Sequence, residues 1–228
     1  LGINELARRL GISKSTVHGI TATLEQIGAI TRNPRNKKYN LGYTILELSR
    51  RGLSRIPIRE VARRHMDELM EETGETVFLG ILDNNHILIL ESVESNKELK
   101  ITSPIGTRIP LDAGAVGKIF FAHMEGSKVR HYFSSKGLTR YTKNTTTDIN
   151  KYLKELQEAK KRGYTLDREE YLHGVKAVAA IIKTGYPPLA AIWVVGFSSS
   201  LTDKKMQEVI KKTLNAADKI SEELRQKR

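Results

Sequence analysis

The fold of the N-terminal part is decided by one segment, INELARRLGISKSTVHGITATLEQI, at residues 3–27. Its apolar side chains recur every three or four residues, the period of helices with one buried face. Gly11 lies where helices commonly end, and Ser13 is a typical N-cap for a following helix. The spacing predicts two helices joined by a turn of about three residues, as in a helix-turn-helix. The predicted apolar stripes consist of Ile3, Leu6, Ala7 and Leu10, and of Val17, Ile20, Leu24 and Ile27.

A short basic hairpin is predicted directly after the second helix. Ala29–Thr31 and Tyr39–Leu41 have the composition of short strands. The segment between them, RNPRNKK at 32–38, has Pro and Asn at its centre, which favour a turn. Helix, turn, helix and basic hairpin in immediate succession predict a winged helix-turn-helix.

The charge of the chain is compatible with nucleic acid as a partner. The net charge is +12, and residues 1–40 contain seven Lys or Arg against two Glu. A strongly basic protein attracts polyanions through counterion release, although basic proteins of other functions have the same balance. Since cysteine is absent, disulfides and thiolate metal sites are excluded, and a reducing cytoplasm is permitted but not demonstrated. The expected location is cytoplasmic. The chain starts at Leu1 inside a predicted helix, so preceding residues are expected to be missing.

The outward face of the second helix is the predicted DNA-reading surface. Opposite the apolar stripe lie small and polar residues that allow a helix to enter the major groove. Gly19 costs about 1 kcal/mol inside a helix; close approach to DNA or close packing against another helix would each explain it. The hairpin is expected to contact the backbone or the minor groove, although a charged hairpin is more commonly just solvated. The candidate DNA-binding residues are Lys14, Ser15, Thr16, His18, Gly19, Ala22, Arg32, Arg35, Lys37 and Lys38.

The rest of the chain predicts a linker helix and a larger α+β domain. We expect a DNA-binding domain at 1–42, a linker helix at 43–56 that is broken at Gly52, and an effector-binding and oligomerisation domain at 57–228. Strands paired by turns, with helices between the groups, indicate a mainly antiparallel sheet. The predicted strands are Thr76–Leu82, His86–Glu94, Leu99–Thr102, Val175–Lys183 and Leu189–Phe197, with a turn at Gly185–Pro188 between the last two. Asp112 is a candidate cap for a helix at Val116–His123.

Several segments resemble the IclR family of regulators. LGINELARRLGISKSTV at 1–17, LEQIGAI at 24–30 and YNLG at 39–42 are similar to its winged domain. GTRIPL at 106–111, AVGK at 115–118, GYTLDREE at 163–170 and GVKAVAA at 174–180 are similar to its effector domain. The resemblance covers nearly the whole chain in the right order.

The resemblance implies a GAF-like effector domain, homodimers or homotetramers and palindromic operators. It also implies small organic or aromatic acids as effectors, no cofactor, and a first winged-domain helix that would precede Leu1. The effector-binding residues that it implies are Gly114, Ala115, Val116, Asp167, Val175, Ala177, Trp193 and Val195.

Physical reasoning supports part of this pocket. Backbone N–H groups at the start of a helix around Gly114 can receive a carboxylate, although many helix starts bind nothing. Ala177, Trp193 and Val195 replace the small polar residues of members that sense keto acids, which favours an apolar or aromatic-bearing ligand. The alternative is that Trp193 only fills the core.

Asp167, Glu169, Glu170 and His173 could suggest a metal or acid–base site, but Asp-x-Glu-Glu is not a recognised ligand spacing, and a solvated loop or a ligand-orienting Asp167 is the preferred interpretation.

The leading functional hypothesis is a ligand-responsive repressor of a catabolic operon. Its alternatives are a small-acid-processing enzyme with a basic accessory domain, which no catalytic spacing supports, and a structural nucleoid-type DNA binder.

Overall fold

The computed structural model describes residues 1–54, 57–185 and 187–227. The chain divides into two compact units, Leu1–Ile56 and Pro57–Arg228. Two features predicted from the sequence lie partly outside the described residues: the end of the linker helix predicted at 43–56 and the turn at Gly185–Pro188.

The first unit is a helix-turn-helix followed by a two-stranded hairpin and a helix. Gly11 ends the first helix with a φ of 66° and donates its N–H to Ala7 O, while Ser13 Oγ accepts the N–H of Thr16 at 3.1 Å and caps the second. The predicted order of elements is therefore confirmed. Their bounds are α1 Ile3–Leu10, α2 Lys14–Gln26, β1 Ile30–Arg32, β2 Tyr39–Leu41 and α3 Tyr43–Ser54, with β1 and β2 antiparallel.

Two details of this unit differ from the prediction. Three residues of the predicted apolar stripes are exposed, Leu10 at 62%, Ile20 at 48% and Ile27 at 55%. Val17 and Thr21 are the buried residues of α2. Thr21 can be buried because its hydroxyl donates to Val17 O at 2.9 Å, which satisfies the polar group within the helix. The predicted break at Gly52 is also wrong, since α3 continues through it to Ser54 and the cost of one helical glycine is only about 1 kcal/mol.

The second unit is built on a six-stranded antiparallel sheet with the strand order β5-β4-β3-β8-β7-β6. Side chains alternate between the two faces of each strand. Phe78, Ala177 and Trp193 belong to the core under α5 and α7, and the opposite face is covered by α4 and α8. The elements are α4 Pro57–Thr73, β3 Thr76–Asp83, β4 His86–Val93, β5 Arg108–Pro110, α5 Gly114–His123, α6 Gly126–Lys136, α7 Ile149–Arg162, β6 Tyr164–Arg168, β7 Val175–Ile182, β8 Ala190–Phe197 and α8 Asp203–Gln226.

The predicted strands of this unit are confirmed with one exception. Leu99–Thr102 is not a strand, and the edge of the sheet is formed by β5 at Arg108–Pro110. Three elements that were not predicted are β5, α6 and β6. Strand β6 lies at the other edge of the sheet. Its positions alternate between partly exposed and buried, but the buried position 167 is an Asp followed by charged residues, so the sequence does not show the apolar alternation of a strand.

Within the described residues, no helix combines the length and the apolar character that crossing a bilayer requires.

Candidate functional site

The outward face of α2 is exposed within the unit that carries it. Its candidate residues Lys14, Ser15, Thr16, His18, Gly19 and Ala22 are all exposed. Apart from its chain neighbours and the backbone of its own helix, a Cβ atom added at Gly19 would meet no described atom within 4 Å, so packing against a neighbouring helix of the unit does not explain this glycine. The hydroxyls of Ser15 and Thr16 each lie 2.8 Å from Ser13 Oγ, at the positively polarised start of the helix. This face can therefore approach a partner closely.

The hairpin β1–β2 presents its cations on a turn that is ordered by hydrogen bonds from backbone N–H groups to the side chain of Asn33. Asn33 Oδ1 accepts the N–H groups of Arg35 at 2.9 Å and Asn36 at 3.3 Å. Lys37 has a φ of 58°, and the Arg32 guanidinium lies 5.8 Å from the centre of the Tyr39 ring. The ordering role of Asn33 was not predicted from the sequence. The four cationic candidates are all exposed: Arg32, Arg35, Lys37 and Lys38.

A cavity of about 240 Å³ lies in the second unit between the start of α5 and the sheet. Thr165 Oγ1 donates to Ala115 O at 2.7 Å and joins α5 to β6 beside it. The structure brings all eight predicted effector residues to the wall of this cavity: Gly114, Ala115, Val116, Asp167, Val175, Ala177, Trp193 and Val195.

Asp167 is the buried carboxyl group of this cavity. The residue is 4% exposed, which excludes the solvated-loop interpretation for it, and its Oδ1 accepts the Glu170 N–H at 2.6 Å. A Cβ atom added at Gly114 would lie 2.7 Å from Asp167 Oδ2, so the carboxylate stands directly beside the start of α5. Burial raises the pKa of Asp167 to about 6, and hydrogen bonding from the Glu170 N–H opposes this rise.

Trp193 combines the two roles that were considered for it. The residue is 3% exposed and belongs to the core, yet it also lines the cavity. Its ring stacks on Phe78 with the centroids 5.6 Å apart and an interplanar angle of 28°. With Ala177 and Val195 beside it, the sheet side of the cavity is an apolar wall.

The loop after β6 closes the cavity with residues that the sequence analysis did not select. Tyr171 and Leu172 line the cavity, and the Tyr171 ring meets Tyr141 edge-on at 5.0 Å. Thr142 Oγ1 donates to Glu169 O at 2.7 Å and so holds the loop from outside. The alternating pattern of β3 and β4 could have indicated Phe78 and Ile89, which point to the same face of the sheet as the cavity. Tyr171 and Leu172 lie in a loop, where no periodic pattern marks a residue as part of a site. Missed residues that line the cavity are Phe78, Ile89, Ile101, Thr102, Ser103, Thr107, Arg108, Ile109, Ala113, Tyr171 and Leu172.

The predicted capping role of Asp112 is wrong. The N-cap of α5 is Ala113, without a side-chain cap. The Asp112 carboxylate accepts hydrogen bonds from Thr139 at 2.6 Å, Tyr141 at 2.8 Å and Lys136 at 3.2 Å. Burial would raise the pKa of Asp112, but these hydrogen bonds outweigh it and the pKa is lowered. Asp112 therefore fastens the segment before α5 to the segment after α6.

A buried lysine, Lys118, lies close to Asp167. Lys118 is 3% exposed, and its Nζ contacts Glu170 Oε1 at 2.6 Å, Glu155 Oε1 at 2.9 Å and Leu166 O at 3.2 Å. Glu170 is thereby engaged in an ion pair rather than in a metal site. Among the described residues, no group of three His, Cys, Asp or Glu could hold a metal ion.

A helix-turn-helix with a basic wing, joined in one chain to an α+β unit with a cavity, indicates the class of DNA-binding regulators that have a separate effector domain. Residues 1–34 match the IclR helix-turn-helix domain, and residues 50–222 match the family described as bacterial transcriptional regulator IclR C-terminal. The chain therefore belongs to the IclR family of DNA-binding transcriptional regulators, which are not enzymes.

Individual relatives agree with this assignment. The chain is 34% identical over 179 residues to the HTH-type transcriptional regulator XynR of Escherichia coli K12, covering 78% of this chain and 71% of XynR. The crystal structure of the Thermotoga maritima IclR has a TM-score of 0.75 at 28% identity and covers 98% of this chain and 91% of that one. An IclR homolog from Microbacterium hydrocarbonoxydans, crystallised with 4-hydroxybenzoate, has a TM-score of 0.83 at 24% identity, covering 98% and 91%. Because the identity to the Microbacterium hydrocarbonoxydans protein is only 24%, this similarity establishes the fold alone.

Proposed function

We propose that this chain is a repressor of a catabolic operon whose operator affinity is changed by a small organic or aromatic acid. The observation that carries the proposal is the cavity of about 240 Å³ with all eight candidate effector residues on its wall, in a unit separate from the exposed helix-turn-helix. A ligand can change DNA affinity only by its different affinity for two arrangements of the protein.

The DNA side of the proposal assigns reading to α2 and positioning to the wing. Residues 1–42 serve as the DNA-binding domain. Ser15, Thr16, His18, Gly19 and Ala22 on the outward face of α2 approach the base edges in the major groove. Lys14 and the four wing cations contact phosphates, which fixes the register without reading sequence. A palindromic operator follows from a homodimer or homotetramer, in which two copies of α2 are related by a two-fold axis.

The effector side of the proposal favours a single aromatic ring with a carboxyl group. A cavity of about 150 Å³ is enough for benzene, so about 240 Å³ accommodates one ring with substituents. Trp193, Phe78 and Val195 offer apolar contact, and the start of α5 offers N–H groups. The homolog from Microbacterium hydrocarbonoxydans that binds 4-hydroxybenzoate supplies a precedent in the same fold. In this proposal residues 57–228 bind the effector and mediate oligomerisation, 43–56 form the linker, and the protein acts in the cytoplasm.

Two titrations test the proposal with the full chain. Promoter fragments upstream of the neighbouring genes are titrated by fluorescence anisotropy at several salt concentrations, with scrambled fragments of equal composition as the control. We expect one fragment to be preferred, with affinity that falls steeply as salt increases. Benzoate, 4-hydroxybenzoate and phenylacetate are then added, and at least one should release the DNA. Equal affinity for all fragments would contradict the proposal that the protein has a specific operator. If none of the acids releases the DNA, the proposed effector class is wrong.

A further inference from the structure

The cavity wall contains a buried acid and no buried base among the described residues. Asp167 is the buried carboxyl group, while the cationic residue of the lining, Arg108, is exposed and its guanidinium pairs with Asp83 Oδ2 at 2.7 Å. The remaining polar residues of the lining carry hydroxyl groups: Thr102, Ser103, Thr107 and Tyr171. A ligand that enters as an anion therefore meets a wall with a negative charge when Asp167 is ionised.

The position of Asp167 makes this encounter direct. A Cβ atom added at Gly114 would lie only 2.7 Å from Asp167 Oδ2, so this oxygen is beside the first turn of α5. The N–H groups of that turn are the part of the cavity that attracts a ligand carboxylate. A carboxylate drawn to them would lie next to the carboxylate of Asp167. Two carboxyl groups in contact cannot both ionise without a large cost, and one of them retains a proton.

The charged groups around Asp167 do not remove this conflict. From α5, the Lys118 ammonium lowers the pKa of Asp167, but it is shared by Glu155 of α7 and by Glu170. Glu170 in the closing loop acts in both directions, because its charge raises this pKa and its N–H lowers it. The Tyr171 N–H also lowers it, and the side chains that line the cavity from β7 and β8 are apolar: Val175, Ala177, Trp193 and Val195. Burial prevails, and the pKa of Asp167 is about 6.

We propose that this pocket binds its acid together with one proton, which lies between the ligand carboxylate and Asp167. The inference rests on the proposed effector pocket and adds the chemical form in which the ligand is held. Above about pH 6 the free pocket has an ionised Asp167, so binding takes one proton from the solvent and weakens as pH rises. Below that pH Asp167 already has the proton, and affinity becomes constant.

The proposal also defines what the pocket selects. A carboxylic acid is favoured because it can share the proton, and a neutral hydroxyl donor can face Asp167 without any proton uptake. Benzyl alcohol, which has a ring and a hydroxyl but no carboxyl group, is therefore a control ligand whose affinity does not decrease between about pH 6 and about pH 8. Asp167 is a specificity-determining residue in this account.

Isothermal titration calorimetry of the full chain tests the proposal with benzoate, 4-hydroxybenzoate and phenylacetate. Titrations from about pH 5.5 to about pH 8, each in two buffers of different ionisation enthalpy, measure the protons taken up. We expect about one proton per ligand near pH 7.5 and an affinity that falls about tenfold per pH unit above pH 6. Asp167→Asn, a neutral isostere, should still bind the acids but without the uptake and without the slope.

The outcomes separate this inference from the proposed function. Tight binding of an acid with no proton uptake overturns the inference and leaves the effector class standing. An unchanged pH slope in Asp167→Asn also overturns it, because the proton then belongs to another group. Binding of none of the three acids at about pH 5.5 overturns both. The proton count on the unmodified protein decides the matter even if the variant does not fold.

Discussion

Gly80 lies directly against the indole of Trp193: a Cβ atom at position 80 would be 2.9 Å from Trp193 Cη2. The same Cβ would be 2.8 Å from Leu88 O, on the neighbouring strand β4. The register of β3 and β4 shifts between Leu79 and Gly80, so the glycine coincides with an irregularity of the ladder. The ring can occupy the sheet wall of the cavity because position 80 has no side chain.

Removing the indole should enlarge the cavity and change its preference for ligands. Trp193→Ala takes away the ring that stacks on Phe78, at a cost of about 3–5 kcal/mol in the free energy of unfolding. Thermal-shift measurements should then show that 2-naphthoate stabilises the variant more than benzoate does. We expect the unmodified protein to be stabilised more by benzoate than by 2-naphthoate, and Trp193→Phe, which keeps a ring, is the control that should show the same preference. An unchanged preference in the alanine variant would place the ligand elsewhere.

Replacing the buried lysine should destabilise the second unit. Lys118→Met leaves the carboxylates of Glu155 and Glu170 without their shared cation. Because these carboxylates are 26% and 16% exposed, we expect a cost of about 1–3 kcal/mol, below the about 3–5 kcal/mol of a fully buried pair. Urea unfolding followed by the fluorescence of Trp193, the single tryptophan, measures the loss. Lys154→Met, at an exposed position of α7, serves as the matched control and should change stability little. Equal stability of the two variants would show that the buried ions do not depend on one another.

The buried acid should make the ligand-free protein less stable at higher pH. The folded pKa of Asp167 is about 6, above its ordinary value of 3.8, so the protonated form is favoured by folding. That stabilisation is complete below about pH 4 and is lost as pH rises through 6. Asp167→Asn should therefore gain up to about 3 kcal/mol over the wild type between pH 4 and pH 8. Urea unfolding at both pH values measures the gain, and parallel curves for the two proteins would contradict it.

The helix-turn-helix was predictable from the sequence because its signals are local. Gly11 and Ser13 end one helix and begin the next through contacts within four residues. Burial within α2 was less predictable. It depends on which neighbours cover the helix, so the apolar Ile20 is exposed while Thr21 is buried.

The cavity could be predicted from the resemblance but not from the physics of the residues alone. Asp167 and Trp193 are 26 positions apart in sequence, and they line the same cavity only because β7 pairs with both of their strands. Nothing local distinguishes Asp167 from the charged residues that follow it. Asp112 was misassigned for the same reason: its hydrogen-bond donors at Thr139 and Tyr141 are distant in the chain, while capping is a local rule.

Removing charge from the wing should weaken binding to every DNA sequence alike. Arg35→Ala takes one cation away, and Lys37→Asn takes another while tolerating the φ of 58° better than alanine would. The slope of log affinity against log salt should decrease by about 1 for each phosphate that is no longer neutralised. Fluorescence anisotropy on operator and random DNA measures both quantities, with Lys154→Ala as the control. A weakening confined to the operator would assign base reading to the wing.

The most direct test of the account compares base preferences of the wild type and of His18→Ala, whose side chain is on the exposed face of α2. Selection of bound sequences from a randomised DNA pool measures the preference at every position of the site. The account predicts that the wild type selects a palindrome and that His18→Ala changes the preferred bases at symmetric positions within it, whereas Arg35→Ala selects the same palindrome more weakly. Identical preferences for the wild type and His18→Ala, together with variants at Ser15 and Ala22 that also leave them unchanged, would contradict the claim that this face of α2 reads DNA.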